Sequence, residues 1–168
     1  MVLVDYDDRE IGSCGKLKTH KKQLLHRAFS VFIFNGDEVI IQKRAAGKYH
    51  SAGLWANTCC SHPRCGEEIG DAVRRRLKEE AGIECGVTEA GAFIYFARFD
   101  NGLCEYEYDH VFIGEYDGAY CANPEEAEEM ISISIEDLKS DIEDHPEKYA
   151  AWFFTALNIA LRAKEGCL

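Results

Sequence analysis

No apolar run in the 168 residues approaches the roughly 18–20 needed to cross a bilayer, which excludes a membrane-spanning helix. Basic charge is also scarce. Nineteen Lys+Arg stand against 30 Asp+Glu, a formal charge of −11. General nucleic-acid binding depends on neutralising phosphates with Lys and Arg, so this balance argues against it. A small anion held in a locally basic pocket is still compatible. The three prolines, Pro63, Pro124 and Pro146, form no proline-rich linker, and no repeat or low-complexity tract is present. The opening residues, Met1 to Asp8, have no basic flank followed by an apolar stretch, so no secretory signal is expected. Eight cysteines are present (Cys14, Cys59, Cys60, Cys65, Cys85, Cys104, Cys121 and Cys167), yet none forms a C-x-x-C pair. Without an export signal they read as reduced thiols in a cytoplasmic protein.

What is present fits one soluble domain over residues 1–168. Residues 1–19 are polar and read as a turn-rich entry. Two apolar runs, 28–34 and 39–44, flank Asn35-Gly36-Asp37, a hairpin signal. Residues 45–66 hold glycines, Pro63 and a Cys/His cluster, and read as a long functional loop. The spacing of Ala72, Val73, Leu77 and Ala81 predicts a helix over 67–81, with Gly82 as its C-terminal cap. Strands are expected over 92–99, 104–116 and 131–135, an acidic loop over 117–129, and helices over 136–142 and 146–163. Strands and helices mix without strict alternation. The expected class is α/β (α+β), a mixed β-sheet sandwiched between helices.

Several side chains carry possible chemistry. Glu105 and Glu107 are two apart on a predicted strand, so both carboxylates face one side. They repel unless a cation lies between them or one is protonated. With His20, His26 and His62 they make a donor set that suits a divalent transition metal better than calcium; a solvated strand face is the plain alternative. Cys60 lies two residues before His62, where a thiol can be tuned as acid, base or nucleophile. Only one of the adjacent pair Cys59 and Cys60 can point at a given cavity. Glu80 follows Arg76 by four residues on one helical face. The pair is either a simple ion pair, or a carboxylate that holds a cation beside a guanidinium that holds a phosphate.

The arrangement Glu67-x7-Arg75-x-Leu77-x-Glu79-Glu80-x-Gly82-Ile83 resembles the Nudix box. It departs from that signature twice. Ser61 stands at the first Gly position, and Arg76 replaces the Glu after Arg75, a carboxylate that helps Nudix hydrolases bind catalytic Mg²⁺. Over roughly residues 5–160 the chain is similar to the type 1 isopentenyl-diphosphate isomerases, Nudix-fold enzymes that do not hydrolyse their substrate. The most specific segments are His26-Arg-Ala-Phe-Ser30, Gly53-Leu-Trp-Ala-Asn-Thr-Cys-Cys-Ser-His-Pro63 and Glu105-Tyr-Glu107.

The resemblance implies a Nudix fold and a 1,3-proton shift between isopentenyl and dimethylallyl diphosphate in isoprenoid biosynthesis. It places Cys60 and Glu107 as the catalytic acid and base on opposite faces of the substrate, with Cys59 structural. It implies Trp152 and Tyr95 as aromatic stabilisers of a carbocation. His20, His26, His62, Glu105 and Glu107 become ligands of one divalent ion, with manganese, zinc and iron all open. Glu80 becomes a ligand of Mg²⁺ that arrives with the diphosphate. Lys16, Arg44, Lys48 and Arg76 become the diphosphate contacts. The expected partner is a small isoprenoid diphosphate, with no nucleic acid, no membrane and a monomeric state. Hydrolysis of a diphosphate by a Nudix hydrolase is the alternative reading, and a catalytically inactive metal-binding domain is a third.

Overall fold

The computed structural model describes residues 1–48 and 50–166. The elements run β1 (Val2–Val4), β2 (Glu10–Ser13), α1 (Lys16–Lys22), β3 (His26–Asn35), β4 (Glu38–Arg44), β5 (Trp55–Asn57), β6 (Cys59–Ser61) and α2 (Ile69–Ala81). They continue with β7 (Val87–Arg98), β8 (Cys104–Glu115), β9 (Ala127–Ser134), α3 (Ile135–Asp144), a 3₁₀ turn (Pro146–Lys148) and α4 (Phe153–Lys164). The sheet is mixed, as expected. β3 and β8 run parallel, from His26↔Glu107 to Phe34↔Glu115, while the other strand pairs are antiparallel.

Strand β3 is buried on both faces, and its period of two divides the core. Phe29, Val31 and Ile33 pack beneath α2 with Ala72, Val73, Leu77 and Ala81. Phe32 and Phe34 pack on the other side against Phe153, Ala156, Leu157 and Ala160 of α4. Each such buried side chain contributes about 1.5–3 kcal/mol. Helix α2 ends as its sequence dictates. Gly82 takes φ +68°, a left-handed value that glycine adopts without a Cβ clash, and its N–H donates to the Lys78 carbonyl at 3.0 Å.

Three stretches differ from expectation. Residues 45–66 are not one loop: β5 and β6 lie within them, each too short to show a period. β3 and β4 pair directly only over Ile33–Asn35 and Glu38–Ile40, then splay apart to admit these two strands. Thr58 bridges the split, accepting from the Ile33 N–H at 2.9 Å and donating to the Ile40 carbonyl. The helix expected over 146–163 is interrupted. After the 3₁₀ turn at Pro146, Tyr149 is extended and bridges to Trp55, and Ala150 N–H donates to the Trp55 carbonyl at 2.9 Å. That pairing with β5 delays α4 to Phe153 and leaves Trp152 at its N-cap. The entry region is not only turns, since β1, β2 and α1 form there. The acidic segment 117–129 ends inside β9, which starts at Ala127.

Candidate active site

The splayed end of the sheet opens into a cavity of about 430 Å³. Most of the sequence-predicted site residues line it: Lys16, Arg44, Lys48, Cys60, His62, Arg76, Tyr95, Glu105, Glu107 and Trp152. They arrive from α1, β4, β6, α2, β7, β8 and the loops between them, so no single stretch of sequence contains the site. Glu80 is not among the lining residues; it lies buried behind Arg76.

His20 and His26 are buried and not among the lining residues, but with His62 and Glu105 of the lining each presents a donor atom within 4.8 Å of the others. Glu107 adjoins them, with His62 Nε2 2.7 Å and His26 Nε2 3.5 Å from its Oε1. His26 Nδ1 donates to the Leu24 carbonyl at 2.8 Å, which fixes the tautomer and leaves Nε2 with its lone pair. Among the described residues, His20 Nε2, His26 Nε2 and Glu105 Oε2 are buried without a hydrogen-bond partner. Orphaned buried donors and acceptors are costly. Here they converge, and imidazole and carboxylate together are the donor set of a transition-metal ion. The residues therefore fit a divalent cation.

The electrostatics agree. Burial, then the neighbouring imidazoles His26 and His62, lower His20 to about 4. Burial lowers His62 to about 4, against an opposing pull from Glu107. Both rings are therefore neutral near pH 7. Burial and the charge of Glu107 push Glu105 up to about 11. Burial opposes ionisation of Glu107 too, but hydrogen bonds from Glu105 and His62, with His26 alongside, outweigh it and hold this carboxyl well below its usual range. The pair thus keeps one proton, on Glu105.

Cys60, which also lines the cavity, lies on β6, paired across the ladder with Ser30 of β3. Its Sγ is 3.5 Å from Arg44 Nη1. Burial pushes the thiol up to about 12 despite Arg44 and Lys48, so the sulfur retains its proton. Cys59 alternates to the other face, fully buried beneath α2. Tyr95 and Trp152 also line the cavity, ring centres 6.2 Å apart. Tyr95 donates its hydroxyl proton to Glu107 Oε2 at 2.6 Å, so it touches the carboxylate as well as offering a ring. Trp152 Nε1 donates to Asn57 Oδ1 at 3.0 Å, and Arg44 lies over its ring, 5.1 Å from the centroid.

Arg76 forms the ion pair that its spacing allowed. Its Nη2 lies 2.7 Å from Glu80 Oε1, and its Nη1 lies 2.7 Å from Glu79 Oε2. Gln42 Nε2 donates to the other oxygen of Glu80 at 3.2 Å, while Gln42 Oε1 is buried without a partner. Both oxygens of Glu80 are therefore engaged, one by Arg76 and one by Gln42. Arg75 forks onto both oxygens of Glu67 at 2.7 and 2.8 Å, so these two residues of the box clamp the loop before α2.

Sequence reasoning missed His50, Asp109 and Glu126. His50 lines the cavity; its Nε2 contacts Glu105 Oε1, and its ring stacks on Phe99 with centres 4.5 Å apart. Nothing in the sequence marks a histidine in a loop. Asp109 continues the column of Glu105 and Glu107 on one face of β8 and accepts from Ser30 Oγ at 2.8 Å. Burial, then the charge of Glu107, push its carboxyl well above the usual range. The period of two that paired Glu105 with Glu107 would have reached it.

Seven cysteines are free, and Cys167 lies outside the described residues. Among the described residues, no helix is long and apolar enough to cross a membrane. The NUDIX domain model matches residues 24–153. An isopentenyl-diphosphate Delta-isomerase 2 from Aromatoleum aromaticum is 45% identical over 169 residues, covering 99% of this chain and 89% of the relative. Its namesake from Photorhabdus laumondii is 48% identical over 159 residues, covering 94% and 90%. Among solved structures, the DR0079 protein of Deinococcus radiodurans superposes with a TM-score of 0.75 at 18% identity, covering 94% of this chain and 95% of that one. That likeness establishes the fold alone. With a Nudix sheet around this cavity and relatives of such identity over nearly their whole length, the chain belongs to the NUDIX domain family and, within it, to the isopentenyl-diphosphate Delta-isomerases.

Proposed function

We propose that this protein interconverts isopentenyl and dimethylallyl diphosphate by a 1,3-proton shift. The observation that supports the reading is that Cys60 and Glu107 both line one cavity that also holds Trp152, Tyr95 and four cationic side chains. One group adds a proton to the terminal alkene carbon, and the other removes a proton from the allylic carbon. The double bond moves and no atom is lost. The two roles exchange when the reaction runs backwards.

Protonating an alkene creates a tertiary carbocation, for which a carboxyl or thiol alone is a weak acid. Aromatic faces stabilise such a cation without reacting, by up to about 2 kcal/mol or more each when dry. Trp152 and Tyr95 take that part, and the Tyr95 hydroxyl orients Glu107. Asn57 fixes the edge of the Trp152 indole. Lys16, Arg44, Lys48 and Arg76 take the diphosphate, and this remote binding positions the short isoprenoid end. A divalent ion on His20, His26, His62, Glu105 and Glu107 (manganese, zinc or iron) would offset the two carboxylates, and Mg²⁺ at Glu80 would offset the diphosphate. Hydrolysis is disfavoured because Arg76 puts a cation where the hydrolase signature has a carboxylate.

The test is variant turnover, read as dimethylallyl diphosphate formed. Cys60→Ala and Glu107→Gln each lose at least about a thousandfold, within the range for a removed proton-transfer group. Cys59→Ala retains most activity. Loss with Cys59→Ala and retention with Cys60→Ala would show that the wrong sulfur has been assigned.

A further inference from the structure

The basic cradle for the diphosphate already contains an anion. Glu126, in the segment between β8 and β9, spans two of its cations. One carboxylate oxygen, Oε2, is ion-paired with Lys48 Nζ, and the other, Oε1, lies 2.8 Å from Arg76 Nη2. Glu126 lines the cavity, and its side chain is only 20% exposed. Its backbone is tied down. Glu126 N–H donates to the Asn123 carbonyl at 2.9 Å, Asn123 N–H donates to the Glu80 carbonyl at 2.8 Å, and the Glu126 carbonyl accepts from Ala45 at 3.1 Å.

We propose that Glu126 is an intramolecular stand-in for a substrate phosphate, holding the position between Lys48 and Arg76 until a diphosphate displaces its side chain. This inference rests on the diphosphate reading of the cradle.

A bridging carboxylate presents two oxygens to two cations, as one edge of a phosphate does. All three nitrogens of Arg76 are engaged by carboxylates. Nε reaches Glu80 at 3.1 Å, Nη1 reaches Glu79 at 2.7 Å, and Nη2 reaches both Glu80 at 2.7 Å and Glu126 at 2.8 Å. Glu79 and Glu80 belong to the same helix as Arg76, and Glu80 is also held by Gln42. Glu126 reaches Arg76 from another element on a side chain with rotamers to spare. A phosphate arriving on Lys48 and Arg76 would meet this carboxylate at contact distance, and like charges so close do not both stay. Lys48 and Arg76 repel each other, and Glu126, ion-paired with both, offsets that repulsion. It therefore keeps the cradle assembled and also limits how tightly the cradle holds a diphosphate. That ceiling favours release of a product whose diphosphate is the same as the substrate's.

The experiment is calorimetric titration of inorganic pyrophosphate, with Mg²⁺ present, into the full chain and into Glu126→Gln, Glu126→Ala, Lys48→Ala and Glu126→Gln/Lys48→Ala. The near-isosteric Gln variant guards against a folding defect, which circular dichroism checks. Both Glu126 variants are expected to bind pyrophosphate about tenfold tighter, and KM for the isoprenoid diphosphate is expected to fall in proportion. In the Lys48→Ala background the gain from Glu126→Gln shrinks to under about threefold, because the competitor has lost one of its two partners. Equal or weaker binding by folded Glu126→Gln overturns the proposal and makes Glu126 a holder of the cations only. If the unmodified protein binds no pyrophosphate, the diphosphate reading fails and takes this inference with it. If it binds pyrophosphate and Glu126→Gln binds no tighter, this inference alone fails.

Discussion

Loading the histidine and glutamate cluster with a divalent ion should release protons, and the structure says how many and from where. His20 and His62 are held to about 4, so near pH 7.5 their lone pairs are already available. Glu105 is held at about 11 by burial and by the charge of Glu107, so it carries a proton that a cation must displace. Bringing that proton off near neutral pH costs part of the ion's intrinsic affinity. The apparent affinity should therefore rise about tenfold per pH unit between about pH 6.5 and 9. Titration of metal-stripped protein with Mn²⁺, in buffers of different ionisation enthalpy, reads the count directly. About one proton per ion is expected, and about none for Glu105→Gln, which should also bind more weakly. A flat affinity across that pH range, with no buffer-dependent heat, would refute the assignment of the proton to Glu105.

Two further substitutions probe the groups around Glu107. Tyr95→Phe removes the hydroxyl that donates to Glu107 Oε2 at 2.6 Å. A hydrogen bond to a charged group contributes about 1.5–3 kcal/mol, so kcat should fall roughly 10- to 100-fold with KM little changed; steady-state kinetics showing no change would remove the hydroxyl from the account. Asp109→Asn replaces a carboxyl whose folded-state pKa is raised, a group that costs stability above its ordinary pKa because the folded protein must keep it protonated. The amide should leave the Tm near pH 7 unchanged or higher, and a fall of more than about 5 °C would contradict a neutral Asp109.

How far the sequence was legible follows from the range of the interactions involved. Helix α2 was readable because its stripe of Ala72, Val73, Leu77 and Ala81 and its Gly82 cap are local signals. The β3–β4 hairpin was readable for the same reason, with Gly36 at φ +56° in the turn. Strands β5 and β6 were not, because three residues show no period and their pairing depends on the divergence of β3 from β4. The late start of α4 was equally hidden, since it follows from Tyr149 and Ala150 pairing with Trp55, about a hundred residues away in sequence. In the site, Glu105 and Glu107 announced themselves through their spacing, and Cys60 and His62 through a motif. Glu126 and His50 did not, because each acts through a contact with a residue distant in sequence and carries no local mark.

The central claim is that the substrate gains one proton and loses another without breaking a phosphate bond. Incubation of isopentenyl diphosphate with the metal-loaded protein and Mg²⁺ in deuterated water, followed by proton and deuterium NMR, tests it most directly. Dimethylallyl diphosphate carrying deuterium in a methyl group is the expected result. Free inorganic phosphate or pyrophosphate, with no deuterium in the carbon skeleton, would contradict the account.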